Sequence, residues 1–104
     1  MKPHLDPDTG RIVLRPEAEF TIYNAMECRD ALLEAMRAEG DLEIDLAAVS
    51  EMDAAGLQLL LLAKREAEAH GKRLYLTAPG PAVADVMQLC NLTVLFEAAQ
   101  SAAA

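Results

Sequence analysis

Residues 42–58 read Leu42-Glu43-Ile44-Asp45-Leu46-Ala47-Ala48-Val49-Ser50-Glu51-Met52-Asp53-Ala54-Ala55-Gly56-Leu57-Gln58. The first five alternate apolar and polar side chains, the period of a half-buried strand. Ala47 to Met52 reads as a connection. Asp53 then stands where a helix N-cap is wanted, because a short carboxylate can accept from the unpaired N–H groups of the first turn. The helix it opens spans roughly residues 54–70. Its first half, Ala54 to Leu62, is apolar nearly all round, as expected of a central helix packed on a sheet; the alternative is an exposed patch for a partner. Its second half, Lys64 to His70, is solvated. His70 followed by Gly71 supplies the cationic-capable residue and the glycine that close a helix. Leu74-Tyr75-Leu76-Thr77 follows as another strand, and a strand–helix–strand unit implies a parallel crossover.

The pattern continues in both directions. Upstream, residues 1–10 read as a loosely held lead-in with a turn at Asp8-Thr9-Gly10. Ile12-Val13-Leu14-Arg15 reads as a strand, Pro16 as an edge or bulge position, and Glu19-Phe20 as a resumption of extended chain. Thr21 is the N-cap expected for a helix over 22–38, with Ala25, Cys28, Leu32 and Met36 on one face and Gly40 as the stop. Downstream, Pro79-Gly80-Pro81 is a turn. Ala82 to Cys90 is a short helix with Val83, Val86, Met87 and Cys90 at helical spacing. Leu92 to Phe96 reads as a last strand, and residues 98–104 as an Ala-rich tail.

Composition narrows the function. The chain has 104 residues, enough for one domain with one core, and 53% of them are hydrophobic against 25% charged, a globular balance. Nine Lys and Arg face 17 Asp and Glu, a formal charge of −8. Such a surface repels a phosphate backbone, and no basic run or aromatic platform offsets it, so nucleic acid is not an expected partner. No apolar run approaches the ~20 residues of a membrane span, and the polar start MKPHLDPDTG is not a signal peptide. Direct membrane insertion is therefore not expected, and a cytoplasmic location follows by default.

Catalytic constellations are equally hard to assemble. A nucleophilic triad needs a histidine beside a serine or cysteine, yet His4 falls in the lead-in and His70 at a helix end. No metal-ligand cluster, GxxxxGK[ST] or GxGxxG appears, so neither a metal nor a nucleotide cofactor is expected. Cys28 and Cys90 lack CxxC spacing and lie in apolar helical settings, where cysteine behaves as a small buried hydrophobe. Asp45, at a strand end, is placed like the phospho-acceptor of a response-regulator receiver. That fold needs an acidic pair after its first strand, and the corresponding region here is Leu14-Arg15-Pro16-Glu17.

The segment from Leu46 to Gln58 resembles the signature of the STAS family, in which a strand ending in Asp-Leu leads through a loop to Asp, two small or hydroxyl residues, and Gly-Leu at the start of a helix. The charged helix tail and glycine before a strand, from Lys64 to Leu76, agree with that family. So do the proline-bearing turn and short helix from Ala78 to Val83, and Asn91-Leu92 leading to Phe96. The likeness covers residues 11–97. It implies an α/β STAS-like fold, a mixed four- to five-stranded sheet with helices packed on it, and a non-catalytic protein-binding role. The implied partner is an anti-sigma or histidine-kinase-like ATPase, or a chemotaxis protein. The alternative is a soluble subunit of an ABC-type phospholipid transporter, docked on its ATPase.

By the same resemblance, the partner-binding surface comprises Ser50, Met52, Asp53, Ala54, Ala55, Gly56 and Leu57. In the family the residue after the Asp is the Ser or Thr that a partner kinase phosphorylates, and adding a dianion there disrupts a close-packed interface. Here that position is Ala54 and the next is Ala55, so neither carries a hydroxyl. Ser50 and Thr21 are the nearby hydroxyls that could substitute. Small side chains at 54–56 would let a partner backbone approach the helix start.

Overall fold

The computed structural model describes residues 2–89. It runs β1 (His4–Leu5), β2 (Ile12–Leu14), β3 (Ala18–Phe20), α1 (Ala25–Arg37), β4 (Leu42–Asp45), β5 (Val49–Met52), α2 (Ala54–Ala69), β6 (Leu74–Thr77) and α3 (Pro81–Leu89). The expected last strand at 92–96, the Ala-rich tail and Cys90 lie outside the described residues.

A mixed sheet of order β1-β2-β4-β6 forms the frame. β2, β4 and β6 are parallel, with Ile12 opposite Leu42 and Leu42 opposite Leu74; β1 is antiparallel to β2. The period-two pattern decides which side chains face the helices. Ile12, Leu14, Leu42, Ile44, Leu74 and Leu76 join the hydrophobic core with the inner faces of α1 and α2. Leu42, Leu46, Leu60, Leu76 and Val83 are fully buried, each worth about 1.5–3 kcal/mol of transfer free energy. The alternate face carries Glu43, which accepts from Arg11 Nη1 at 3.1 Å and from the Thr77 hydroxyl at 2.9 Å. The Arg11 guanidinium also lies 3.7 Å from the centroid of the Tyr75 ring, a cation–π contact. Asp45 accepts from Arg15 Nε and Nη2 at 3.0 and 2.7 Å, so this strand-end carboxylate serves an ion pair.

Three local departures from the sequence reading have physical causes. The lead-in is not wholly loose: His4 and Leu5 pair with Val13 and Ile12, while the expected turn ends at Gly10 with φ of 74°. The stretch 49–52, read as a connection, is a strand running parallel to β3. Its register slips by one residue between Ala18 and Glu19, so Val49 and Glu51 face consecutive residues and Ser50 is the extra residue of a bulge. Ser50 Oγ donates to the Ala18 carbonyl at 3.0 Å, and Ala18 takes a left-handed φ of 55°.

The third departure concerns Thr21, which does not cap α1. That helix begins three residues later than expected and its N-cap is Asn24. Residues 21–24 instead form a turn held by side chains. Thr21 Oγ1 accepts from the Tyr23 N–H at 3.3 Å, Asn24 Oδ1 accepts from the Thr21 N–H at 2.9 Å, and Asn24 Nδ2 donates to the Glu19 carbonyl. Short polar side chains competing with the helix in this way favour turns over helix interiors.

Candidate functional site

Asp53 is the residue on which the site is built. Its backbone is extended, with φ of −122° and ψ of −171°, as an N-cap requires. Oδ1 accepts from the Ala55 and Gly56 N–H groups at 2.9 and 3.2 Å. Oδ2 accepts from the Ile22 N–H at 3.1 Å. One carboxylate thus caps α2 and ties its start to the 21–24 turn. The Ile22 N–H, followed by those of Gly56 and Ala55, holds the carboxyl below its ordinary value, because each bond favours the charged form.

The seven residues singled out from the sequence separate into two sets. Ser50 and Ala54 are exposed, while Met52, Asp53 and Ala55 are half-buried, and all five lie at or beside the start of α2. Gly56 and Leu57 are buried and do not belong to an accessible surface. A Cβ at position 56 would sit 2.1 Å from the Phe20 carbonyl oxygen and 3.0 Å from Phe20 Cδ2. The glycine therefore admits β3, not a partner backbone. Leu57 is part of the core cluster together with Leu59, Leu60 and Ala63. The Leu-rich run is thus core on that side, with Leu61 and Leu62 half-buried.

Of the two substitute hydroxyls, Thr21 is 6% exposed and engaged by Tyr23, which removes it from a modifying enzyme's reach. Ser50 remains exposed.

Sequence reasoning missed the other half of this surface. Ile22 and Tyr23 in the turn, and Met26 in the first turn of α1, are 68%, 88% and 70% exposed, and the Asp53–Ile22 bond brings the 21–24 turn to the start of α2. Ile22 is in phase with Ala25, so a helix beginning at 22 would have drawn it inward. Tyr23, off that face, was the signal that these residues point elsewhere. Large apolar and aromatic side chains held exposed on an ordered turn are the residue types that anchor protein interfaces.

A polar hollow of about 560 Å³ is lined by both signs of charge, including Lys2, Arg15, Glu17 and Glu27, with no nucleophile–base pair described within it. Among the described residues no group of three or more His, Cys, Asp and Glu could hold a metal ion. None of the described helices is long and apolar enough to cross a membrane. Cys28 is buried, and burial, with Glu27 adding to it, pushes its thiol up to about 11.

The profile of the family described as "Mlab, STAS domain" matches residues 4–97. The chain belongs to the STAS domain family. Solved structures agree in fold with this STAS domain. A Thermotoga maritima protein described as a candidate anti-sigma factor antagonist superposes with a TM-score of 0.76 at 20% identity, over 88% of this chain and 79% of its own. The Bacillus cell-fate determinant SpoIIAA, in its phosphorylated form, gives 0.67 at 25% identity over 88% and 86%. A serine-to-glutamate variant of Moorella thermoacetica RsbS gives 0.68 at 25% identity over 84% and 74%. Anti-sigma factor antagonists are thus among the structural neighbours of this STAS domain.

Proposed function

We propose that this STAS domain is a non-catalytic adaptor of bacterial signalling that binds its partner through the start of α2 and the adjoining 21–24 turn. The observation that carries this reading is the position of Ala54: exposed, directly after the capping Asp53, and beside the exposed Ile22, Tyr23 and Met26. A helix N-terminus presents N–H groups and partial positive charge. The methyl of Ala54 leaves a partner room to come close. The partner class is an anti-sigma or histidine-kinase-like ATPase, or a chemotaxis protein. One structural neighbour is an antagonist in phosphorylated form. Ala54 cannot accept a phosphoryl group, so binding at this face is constitutive with respect to that modification.

The test is capture from native lysate by wild type and by Ala54→Glu, read by mass spectrometry. Ala54 is exposed, so the variant retains its fold; Gly56 is unsuited to the same purpose because it is packed against β3. Retention of one ATPase or kinase by wild type and its loss with the variant supports the reading. An ABC-type ATPase retained in this way would instead make the chain a transporter subunit using the same face. Equal retention by both proteins overturns the docking face.

A further inference from the structure

Between α1 and α2 runs an open groove of about 450 Å³. Its α1 wall is Ala25 and Met26, its α2 wall Ala55, Leu59 and Leu62 with the polar Gln58 among them, and an arginine stands on each side, Arg29 on α1 and Arg65 on α2. No carboxylate lines it, in a chain whose formal charge is −8. Arg11 and Arg15 are engaged by Glu43 and Asp45, and Lys64 by Glu68. Among the described residues Arg29 and Arg65 have no such partner. Two exposed guanidinium groups without an ion-pair partner among the described residues, beside a mostly apolar lining, form a surface complementary to carboxylates that flank an apolar ridge.

We infer that this groove receives an amphipathic α-helix of a partner protein, with an apolar ridge that fills the floor and carboxylates that meet Arg29 and Arg65. From Ala55 to Arg65 the α2 wall rises about 15 Å, which matches roughly three turns of a docked helix. The inference deepens the docking reading and rests on it for location, since Ala55, at one end of the groove, adjoins Ala54. It adds the shape and charge of what binds.

The probe is a synthetic 18-residue helix with leucines at i, i+3, i+4, i+7 and i+11 flanked by glutamates, compared with the same helix carrying lysines. Binding is read by fluorescence anisotropy and by amide shifts in 15N spectra. Wild type is expected to prefer the glutamate helix by roughly tenfold or more, with shifts centred on Met26, Gln58 and Leu62 and weakened by salt. The double variant Arg29→Glu/Arg65→Glu is expected to reverse that preference. Both arginines are exposed and unpaired among the described residues, so circular dichroism should show an unchanged fold.

Absence of binding, binding indifferent to charge, or shifts mapping outside the groove each overturn the inference. So does association with phosphatidylglycerol vesicles without association with the helix. Peptide binding unaffected by the arginine reversals, together with partner capture lost in Ala54→Glu, removes the groove and leaves the docking face. Peptide binding that follows the arginines, together with capture untouched by Ala54→Glu, does the opposite.

Discussion

Gly56→Ala is a sharp probe of how α2 is seated. Alanine is the better helix former, and on propensity alone the change would stabilise the protein by about 1 kcal/mol. The structure predicts the opposite sign. The added Cβ would meet the Phe20 carbonyl oxygen at 2.1 Å and Met52 Cγ at 3.1 Å, whereas ordinary contact begins near 3.4 Å. The nearer obstacle is backbone in β3, so no rotamer change relieves it. The helix start and β3 must part by roughly 1.3 Å, which pulls on the Asp53–Ile22 hydrogen bond as well. Overpacking of this kind costs about 3 kcal/mol when it cannot be absorbed by side chains. The net loss is about 2 kcal/mol, or a melting temperature lower by roughly 8–16 °C for a domain of this size. Urea denaturation and calorimetry measure both quantities. A variant as stable as wild type, or more stable, would falsify the claim that α2 touches β3 at this point.

Other expected outcomes follow from individual groups. Asp53→Asn should lower the urea midpoint and flatten its acid dependence. The folded carboxyl lies below its ordinary value of about 3.9, so its contribution is complete above that pH and is lost as pH falls through the folded value; a variant with the wild-type acid profile would contradict this. In a Cys90→Ser background, Cys28 should react with iodoacetamide at pH 8 about two hundredfold more slowly than a free thiol, because about one in a thousand is ionised when its value is about 11. Rapid labelling of the native protein would show that it is not buried. Arg15→Ala should change stability by less than about 0.5 kcal/mol, since the guanidinium is largely in solvent. Glu43→Ala should cost about 1–2 kcal/mol, since it leaves both Arg11 and Thr77 without their acceptor. Equal effects at the two positions would argue against that ordering.

The strands and helices with a strong period were legible in the sequence. β4 alternates and β6 is apolar, and α2 begins at Ala54 because Asp53 can only be useful there as a cap. What escaped the sequence were elements held by partners rather than by their own pattern. β5 buries only Val49, and β1 buries neither of its residues, so their existence depends on the strands beside them. The candidate site was half visible. Its α2 half follows from a local motif. In its 21–24 half, Tyr23 off the apolar face hinted that these residues stay exposed, but the bond that brings the turn to α2 joins residues 31 apart, which no local pattern encodes. Gly56 illustrates the same limit: glycine at a helix start is compatible with an approaching partner or with an approaching strand, and only the position of Phe20 decides between them.

The two oxygens of Asp53 divide the labour within the scaffold, Oδ1 capping α2 and Oδ2 holding the 21–24 turn, in a way that bears on how such a surface can diversify. Because the described hydrogen bond between the helix start and the turn comes from Asp53, and Ala54 is exposed, the side chain at 54 has room to vary. Ala54→Ser would place a hydroxyl at this exposed position without disturbing the scaffold. Under the docking reading proposed above, one exposed position can then change what the surface presents to a partner while the fold around it stays fixed.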